Sequence, residues 1–396
     1  MGHIGVAYPI NVSARGETGH AQVPCSNAYN WGVTAVRLPG MAAAILSAVV
    51  LSTLADQGTR AQSDQVSPSC NIQTTERIVA VGDVHGAFDQ FVAILREAKL
   101  IDDRRRWTGG RAILVQTGDV LDRGPDSKQA IDFLRSLERD AARAGGQVHA
   151  LLGNHEVMRL ISDRRYVSAG EYDAFKTADS EALQQRALEF LTAENAKRAK
   201  AAGTPFDARQ FEAVFLKANP LGAVEMQVAF GRDGEYGRWV RERDLMVSIN
   251  GIVFLHGGLT PAVAALGCTA INARARAELK DQPPGPKVPD ALTTGASGPL
   301  WYRGLIDDRA APGRVDAAVV DAVLEAMGAR AIVVGHTASA DFLIRVGATG
   351  RVIQIDTGML GGDFFRGGRP SALEIAGGTF TAIYLGKREP LAVTVQ

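Results

Sequence analysis

Cysteine is scarce in this sequence: Cys25, Cys70 and Cys268 are its three, and none stands in a CxxC spacing. That count excludes a disulfide-built scaffold and leaves no pattern for a structural zinc module. Net charge is missing too, since 43 basic residues face 43 acidic ones. No global field draws the chain onto nucleic acid, so no nucleic-acid partner is expected unless a local basic patch supplies one. No internal repeat is visible. What is there is ordinary: 46% hydrophobic and 22% charged, the balance of a globular enzyme with a substantial core. The length suits two domains, or one large α/β domain with an inserted subdomain.

Leu38 to Ala55 (LPGMAAAILSAVVLSTLA) carries no charge, with Arg37 just before it. Its apolar core is short and Ala-rich, and Thr53 and Ala55 place small residues where a signal peptidase requires them. The stretch resembles a secretory signal more than a membrane span, with an uncleaved anchor as the alternative. Residues 1–36 are Gly- and Asn-rich and aperiodic, and read as a disordered or misassigned leader. Residues 37–55 are the signal or anchor, 56–75 a polar linker and 76–396 the folded domain. The expected location is outside the cytoplasm, periplasmic or secreted, with membrane contact only through an uncleaved N-terminus.

Within the domain, Arg77–Val81, Ala112–Gln116 and Val148–Leu152 are short apolar runs that read as strands. Helical spacing follows the first two, over Phe88–Ala98 and Ser127–Ala144. Successive strand–loop–helix units imply parallel strands, whose C-terminal ends are where open α/β sheets bind ligands. Residues 162–243 turn rich in Ala, Glu, Lys and Arg and predict a helical insertion of two or three helices. Strands resume at Leu245–Ile249, Ile252–Leu255, Ala331–Val334, Phe342–Val346, Val352–Ile355, Ala372–Ile375 and Thr379–Leu385, with a helix over Ala317–Met327.

Five segments carry the chemistry: Gly82-Asp83-Val84-His85-Gly86, Gly118-Asp119-Val120-Leu121-Asp122-Arg123-Gly124, Gly153-Asn154-His155-Glu156, His256-Gly257-Gly258 and Gly335-His336-Thr337. Each follows an apolar run and sets an oxygen or imidazole donor beside glycine, which permits sharp turns and close approach. Carboxylate, amide oxygen and imidazole together suit divalent first-row metals. A single strand-borne histidine would read as core, and His149 does so here. Five coincident strand-end clusters have no cheap structural explanation, because Asp and His are costly to bury unpaired.

These segments resemble the phosphoprotein phosphatase branch of the calcineurin-like metallophosphoesterases. The Glu235-Tyr236-Gly237-Arg238-Trp239 and Gly298-Pro299-Leu300-Trp301-Tyr302-Arg303 segments resemble its Shewanella-like group. The eukaryotic Ser-Ala-Pro-Asn-Tyr segment is absent, and Ile355-Asp356-Thr357-Gly358-Met359 stands in its place. The resemblance implies a central β-sandwich of mixed sheets flanked by helices. It also implies two divalent ions (manganese, iron or zinc), with Asp83, His85 and Asp119 at the first. Asp119 bridges to a second ion, which Asn154, His256 and His336 complete. Such a pair acidifies a shared water that attacks phosphorus directly, without a phosphoenzyme. His155 is the candidate general acid, oriented by Asp122; Arg123 is the phosphate clamp, and Arg303 is a second clamp. Glu156 reads as a residue that holds a loop. The expected substrate is a phosphorylated protein or a small phosphoester. The alternatives are a dinucleoside tetraphosphate hydrolase and a non-catalytic metal-binding scaffold. In an exported protein Cys70 and Cys268 are expected to pair.

Overall fold

Runs of four buried, mostly apolar residues build the centre of the molecule. The computed structural model describes residues 70–280, 287–306, 315–347 and 349–394. The leader, the signal or anchor segment and most of the linker lie outside the described residues. Among those described, no helix is long and apolar enough to cross a membrane.

In chain order the strands are β1 (Asn71–Ile72), β2 (Ile78–Val81), β3 (Ile113–Gln116), β4 (Gln147–Ala150), β5 (Met246–Ile249) and β6 (Ile252–Leu255). They continue as β7 (Ala331–Val334), β8 (Arg345–Val346), β9 (Val352–Gln354), β10 (Ser371–Ala376), β11 (Thr379–Tyr384) and β12 (Lys387–Leu391). One sheet runs β12-β11-β10-β2-β3-β4 and the other β1-β5-β6-β7-β9-β8. Strands β2, β3 and β4 are parallel, while β10 pairs antiparallel with β2, so the first sheet is mixed. The second is mixed as well: β6 and β7 are parallel, β5 and β6 antiparallel.

Strand alternation divides the core in two. Ile78, Ala80, Ile113 and Val115 face Ile249, Phe254, Val333 and Ile353 between the sheets. Their neighbours Val79, Val81 and Leu114 turn the other way, under Phe91, Leu95, Ile131 and Leu134 of helices Phe88–Glu97 and Ser127–Arg143. Burial on both faces is why these strands read as continuous apolar runs in the sequence.

Five helices, where the composition predicts two or three, occupy Ala169–Asp173, Ser180–Ala202, Ala208–Ala218, Ala223–Ala229 and Glu235–Arg241. His149 departs from its reading as a core residue. It lies on the edge strand β4, half-buried, with its Nε2 against Gln147 Oε1 at 3.0 Å. Among the elements with no signal in the pattern are β12, an edge strand with the charged sequence KREPL, and helix Cys268–Lys280. Cys268 opens that helix and is disulfide-bonded to Cys70, which lies just before β1, across 198 residues.

Candidate metal centre

The five glycine-flanked segments leave the C-terminal ends of β2, β3, β4, β6 and β7 and converge. Convergence costs backbone strain. His85, Asp119, Asp122, Arg123 and His336 all have φ between 47° and 71°, the left-handed region that non-glycine residues avoid. Each such residue costs on the order of 1–3 kcal/mol, and such outliers gather at functional sites. Close approach explains the neighbouring glycines. A Cβ on Gly153 would lie 2.1 Å from Asp119 Oδ1. One on Gly118, itself at φ +95, would lie 2.3 Å from the Gly153 amide nitrogen.

Glu156 joins the loops. Its carboxylate is buried and accepts four backbone N–H groups, from Asp119 (2.8 Å), Val120 (2.9 Å), Leu121 (3.2 Å) and Gly153 (2.8 Å). This is the loop-holding role its position implied.

Asp119 stands at the middle. Its Oδ2 lies 3.6 Å from His85 Nε2, 3.3 Å from His256 Nε2 and 3.7 Å from His155 Nε2. Asp83 Oδ2 lies 3.7 Å from His85 Nε2. His256 Nε2 lies 2.9 Å from Asn154 Oδ1 and 3.0 Å from His336 Nδ1. All six predicted ligands therefore share one cluster. Two triads have Asp119 in common and hold their donor atoms within 4.8 Å of one another: Asp119/His256/His336, all predicted ligands, and His85/Asp119/His155, in which the candidate acid stands where Asp83 was expected.

The donor chemistry fits a cation. His85 Nδ1 lies 2.9 Å from the Leu121 carbonyl and His256 Nδ1 2.9 Å from that of Thr117. A carbonyl only accepts, so each Nδ1 carries a proton and each Nε2 turns a lone pair inward, the usual support of a ligating imidazole. His256 thus sets a lone pair against the Asn154 oxygen, an arrangement that a positive ion between them relieves. Asp83 Oδ2 is buried with no hydrogen-bond partner. Burial, with Asp356 and Asp119 nearby, pushes Asp83 well above the usual carboxylate range, as expected where carboxylates lack a counter-charge. The guanidinium of Arg123 meets part of that need, donating to His85 Nε2 at 2.7 Å.

The histidines divide into two kinds. Burial, with Arg123 and His155 beside it, holds His85 well below its ordinary value. Burial, with His256 and Arg303, does the same to His336. Burial also opposes charge on His155, but Asp119 and the Asp122 hydrogen bond outweigh it and raise its pKa. His155 Nδ1 lies 2.7 Å from Asp122 Oδ2. The Asp122 carboxylate accepts from Nδ1–H and favours the imidazolium form, in which Nε2 is the atom that presents a proton to the site.

A cavity of about 250 Å³ opens on this cluster, lined by Arg123, Asn154, His155, Tyr166, Trp301 and Arg303 among others. Arg303 Nε donates to Thr337 Oγ1 (3.0 Å). Arg123 lies between the Tyr166 and Phe365 rings, 5.7 and 5.1 Å from their centroids. Tyr166 and Phe365 carried no signal in the sequence. Arg159 did: it stands four residues after His155 on helix Asn154–Leu160, hence on the same face.

Residues 76–340 match the family described as calcineurin-like phosphoesterase. Shewanella-like protein phosphatase 2 of Arabidopsis thaliana is 31% identical over 76% of this chain and 75% of its own. Shewanella-like protein phosphatase 1 of Plasmodium berghei is 27% identical over 73% and 68%. Among solved structures, the cold-active protein-tyrosine phosphatase of a psychrophilic Shewanella has the same fold, with a TM-score of 0.58 over 81% of this chain and 82% of that one, at 24% identity. The strand-end clusters and these matches agree, and the chain belongs to the calcineurin-like phosphoesterase family, a hydrolase of phosphoesters that uses divalent metal.

Proposed function

We propose that this protein is a metal-dependent protein phosphatase with a two-ion centre, acting first on aryl phosphates such as phosphotyrosine. The observation that carries the reading is the cavity on which His155, Arg123 and Arg303 open together, walled by Tyr166 and Trp301. Asp83, His85 and Asp119 would hold one ion, and Asp119, Asn154, His256 and His336 the other. Divalent ions bound there supply charge for the phosphoryl oxygens and an acidified water as nucleophile. Arg123 leaves the His85 ring to present its planar fork to two phosphate oxygens. His155 gives the proton on Nε2 to the departing oxygen, while Asp122 holds the ring through Nδ1. The helical segment at 162–243 shapes the approach of the peptide, since Tyr166 belongs to it.

The test is kcat/KM on matched phosphotyrosine and phosphoserine peptides and a dinucleoside tetraphosphate, with metal analysis of the same preparation. Preference for phosphotyrosine with two ions per chain is the expected result; faster cleavage of the dinucleotide would overturn the reading. Export is part of the proposal, and the Cys70–Cys268 disulfide supports it, because disulfides persist in oxidising compartments. Sequencing the N-terminus of protein recovered from its host compartment, with a start near Asp56 expected, checks the signal.

A further inference from the structure

Beneath the His155–Asp122 pair lies a second buried pair, between an arginine and a glutamate, that the chemistry described above leaves without a task. Arg159 shares a helix face with His155 and is 4% exposed. Its Nη2 donates to Asp122 Oδ1 at 2.5 Å and to Glu171 Oε2 at 2.9 Å. Glu171 is 1% exposed, in helix Ala169–Asp173, and its other oxygen accepts the Ser168 amide at 3.2 Å. Four ionisable groups thus stand in a row: Glu171, Arg159, Asp122 and His155. Burying such a row is expensive, because each charge loses its hydration and only good geometry among the partners offsets the loss. A hydrophobic residue at 159 would fill the space without that cost. The row therefore calls for a use beyond packing.

We propose that Arg159 and Glu171 are positioning residues for leaving-group protonation. Arg159 locks the Asp122 carboxylate in the orientation that holds His155, and Glu171 locks Arg159. The inference rests on the reading of His155 as the acid. The geometry leaves Asp122 little freedom otherwise. Its backbone is in the left-handed region, with φ 70°. Its Oδ2 is committed to His155 and its Oδ1 to Arg159. Without Arg159, Oδ1 would be a buried acceptor with no donor, and the carboxylate would be free to rotate away from the imidazole. Without Glu171, Arg159 loses the anion that opposes its pull on Asp122. The arrangement also ties the acid to the helices that follow it: Arg159 Nη1 lies 3.0 Å from Met226 Sδ, and its guanidinium 5.1 Å from the Phe230 ring.

The experiment compares Arg159→Met, Arg159→Lys and Glu171→Gln with His155→Ala, each purified with its metal. It measures kcat and KM on nitrophenyl phosphate and a phosphotyrosine peptide, with metal content and Tm. Loss of a residue that supports a reacting group costs about 10–100-fold. Arg159→Met should lower kcat by that factor on the phosphotyrosine peptide and by only about two- to threefold on nitrophenyl phosphate, whose leaving group needs little protonation. KM and metal content should hold. Arg159→Lys and Glu171→Gln should give a weaker form of the same split, and they carry the test if Arg159→Met does not fold. A common factor on both substrates, or a lowered Tm with unchanged kinetics, overturns the proposal while His155→Ala still shows the split. If His155→Ala itself shows none, the acid reading fails and the proposal with it.

Discussion

Replacing Glu156 by glutamine keeps the shape of the side chain and removes half of its accepting capacity. In the native protein Oε2 receives the Asp119 and Gly153 amides, both at 2.8 Å, and Oε1 receives those of Val120 and Leu121 at 2.9 and 3.2 Å. Glutamine keeps one oxygen. Whichever way it turns, its NH₂ faces two backbone N–H groups that no longer have an acceptor and, at 2% exposure, have no water either. A hydrogen bond to a charged group contributes about 1.5–3 kcal/mol net, so two of them amount to roughly 3–6 kcal/mol. Part of that returns. Burial, with Asp119 beside it, already raises the pKa of Glu156, and the neutral amide escapes both penalties. A net loss of about 3 kcal/mol is expected. For a domain of this size that is a fall in Tm of roughly 4–5 °C. The loops being joined carry Asp119 and Asn154, so metal affinity should fall with stability. Calorimetry and metal titration on the purified variant read both. A loss below about 1 kcal/mol with native metal affinity would refute the claim that this carboxylate holds the two loops in register.

His155→Ala should retain metal and lose about 10²–10⁴ in rate, least on nitrophenyl phosphate and most on a phosphoserine peptide; one common factor for all substrates would contradict the acid role. Asp119→Asn should slow every substrate alike and release metal, because both triads pass through that residue; atomic absorption checks it. Gly153→Ala places a methyl group 2.1 Å from Asp119 Oδ1, so a drop in metal occupancy at little change in secondary structure is expected by circular dichroism. Cys268→Ser opens a covalent link across 198 residues and should cost about 2–4 kcal/mol by urea unfolding.

The sequence by itself was enough for the strands that build the centre and for the six side chains that meet there. The reason is physical. Strands buried on both faces must be largely apolar, as IVAV and IVFL are, and a polar donor beside glycine at the end of such a run is conspicuous. Glu156 was legible in the same way, three residues after Gly153 at the start of a helix. Elements without a buried face on both sides left weaker traces: β12 is charged because it is an edge, and the helical segment, largely exposed, did not reveal its five helices. The tertiary structure decided what depends on residues distant in the chain. Only the packing of helix Ala169–Asp173 against Asn154–Leu160 brings Glu171 to Arg159, and only the fold closes Tyr166 and Phe365 on either side of Arg123. Donor types are local properties that a sequence states outright. Which histidine keeps a lone pair for a metal and which takes a second proton depends on the charges around each ring, Arg123 beside His85 and the Asp119 and Asp122 carboxylates beside His155, and that is settled by contacts between loops.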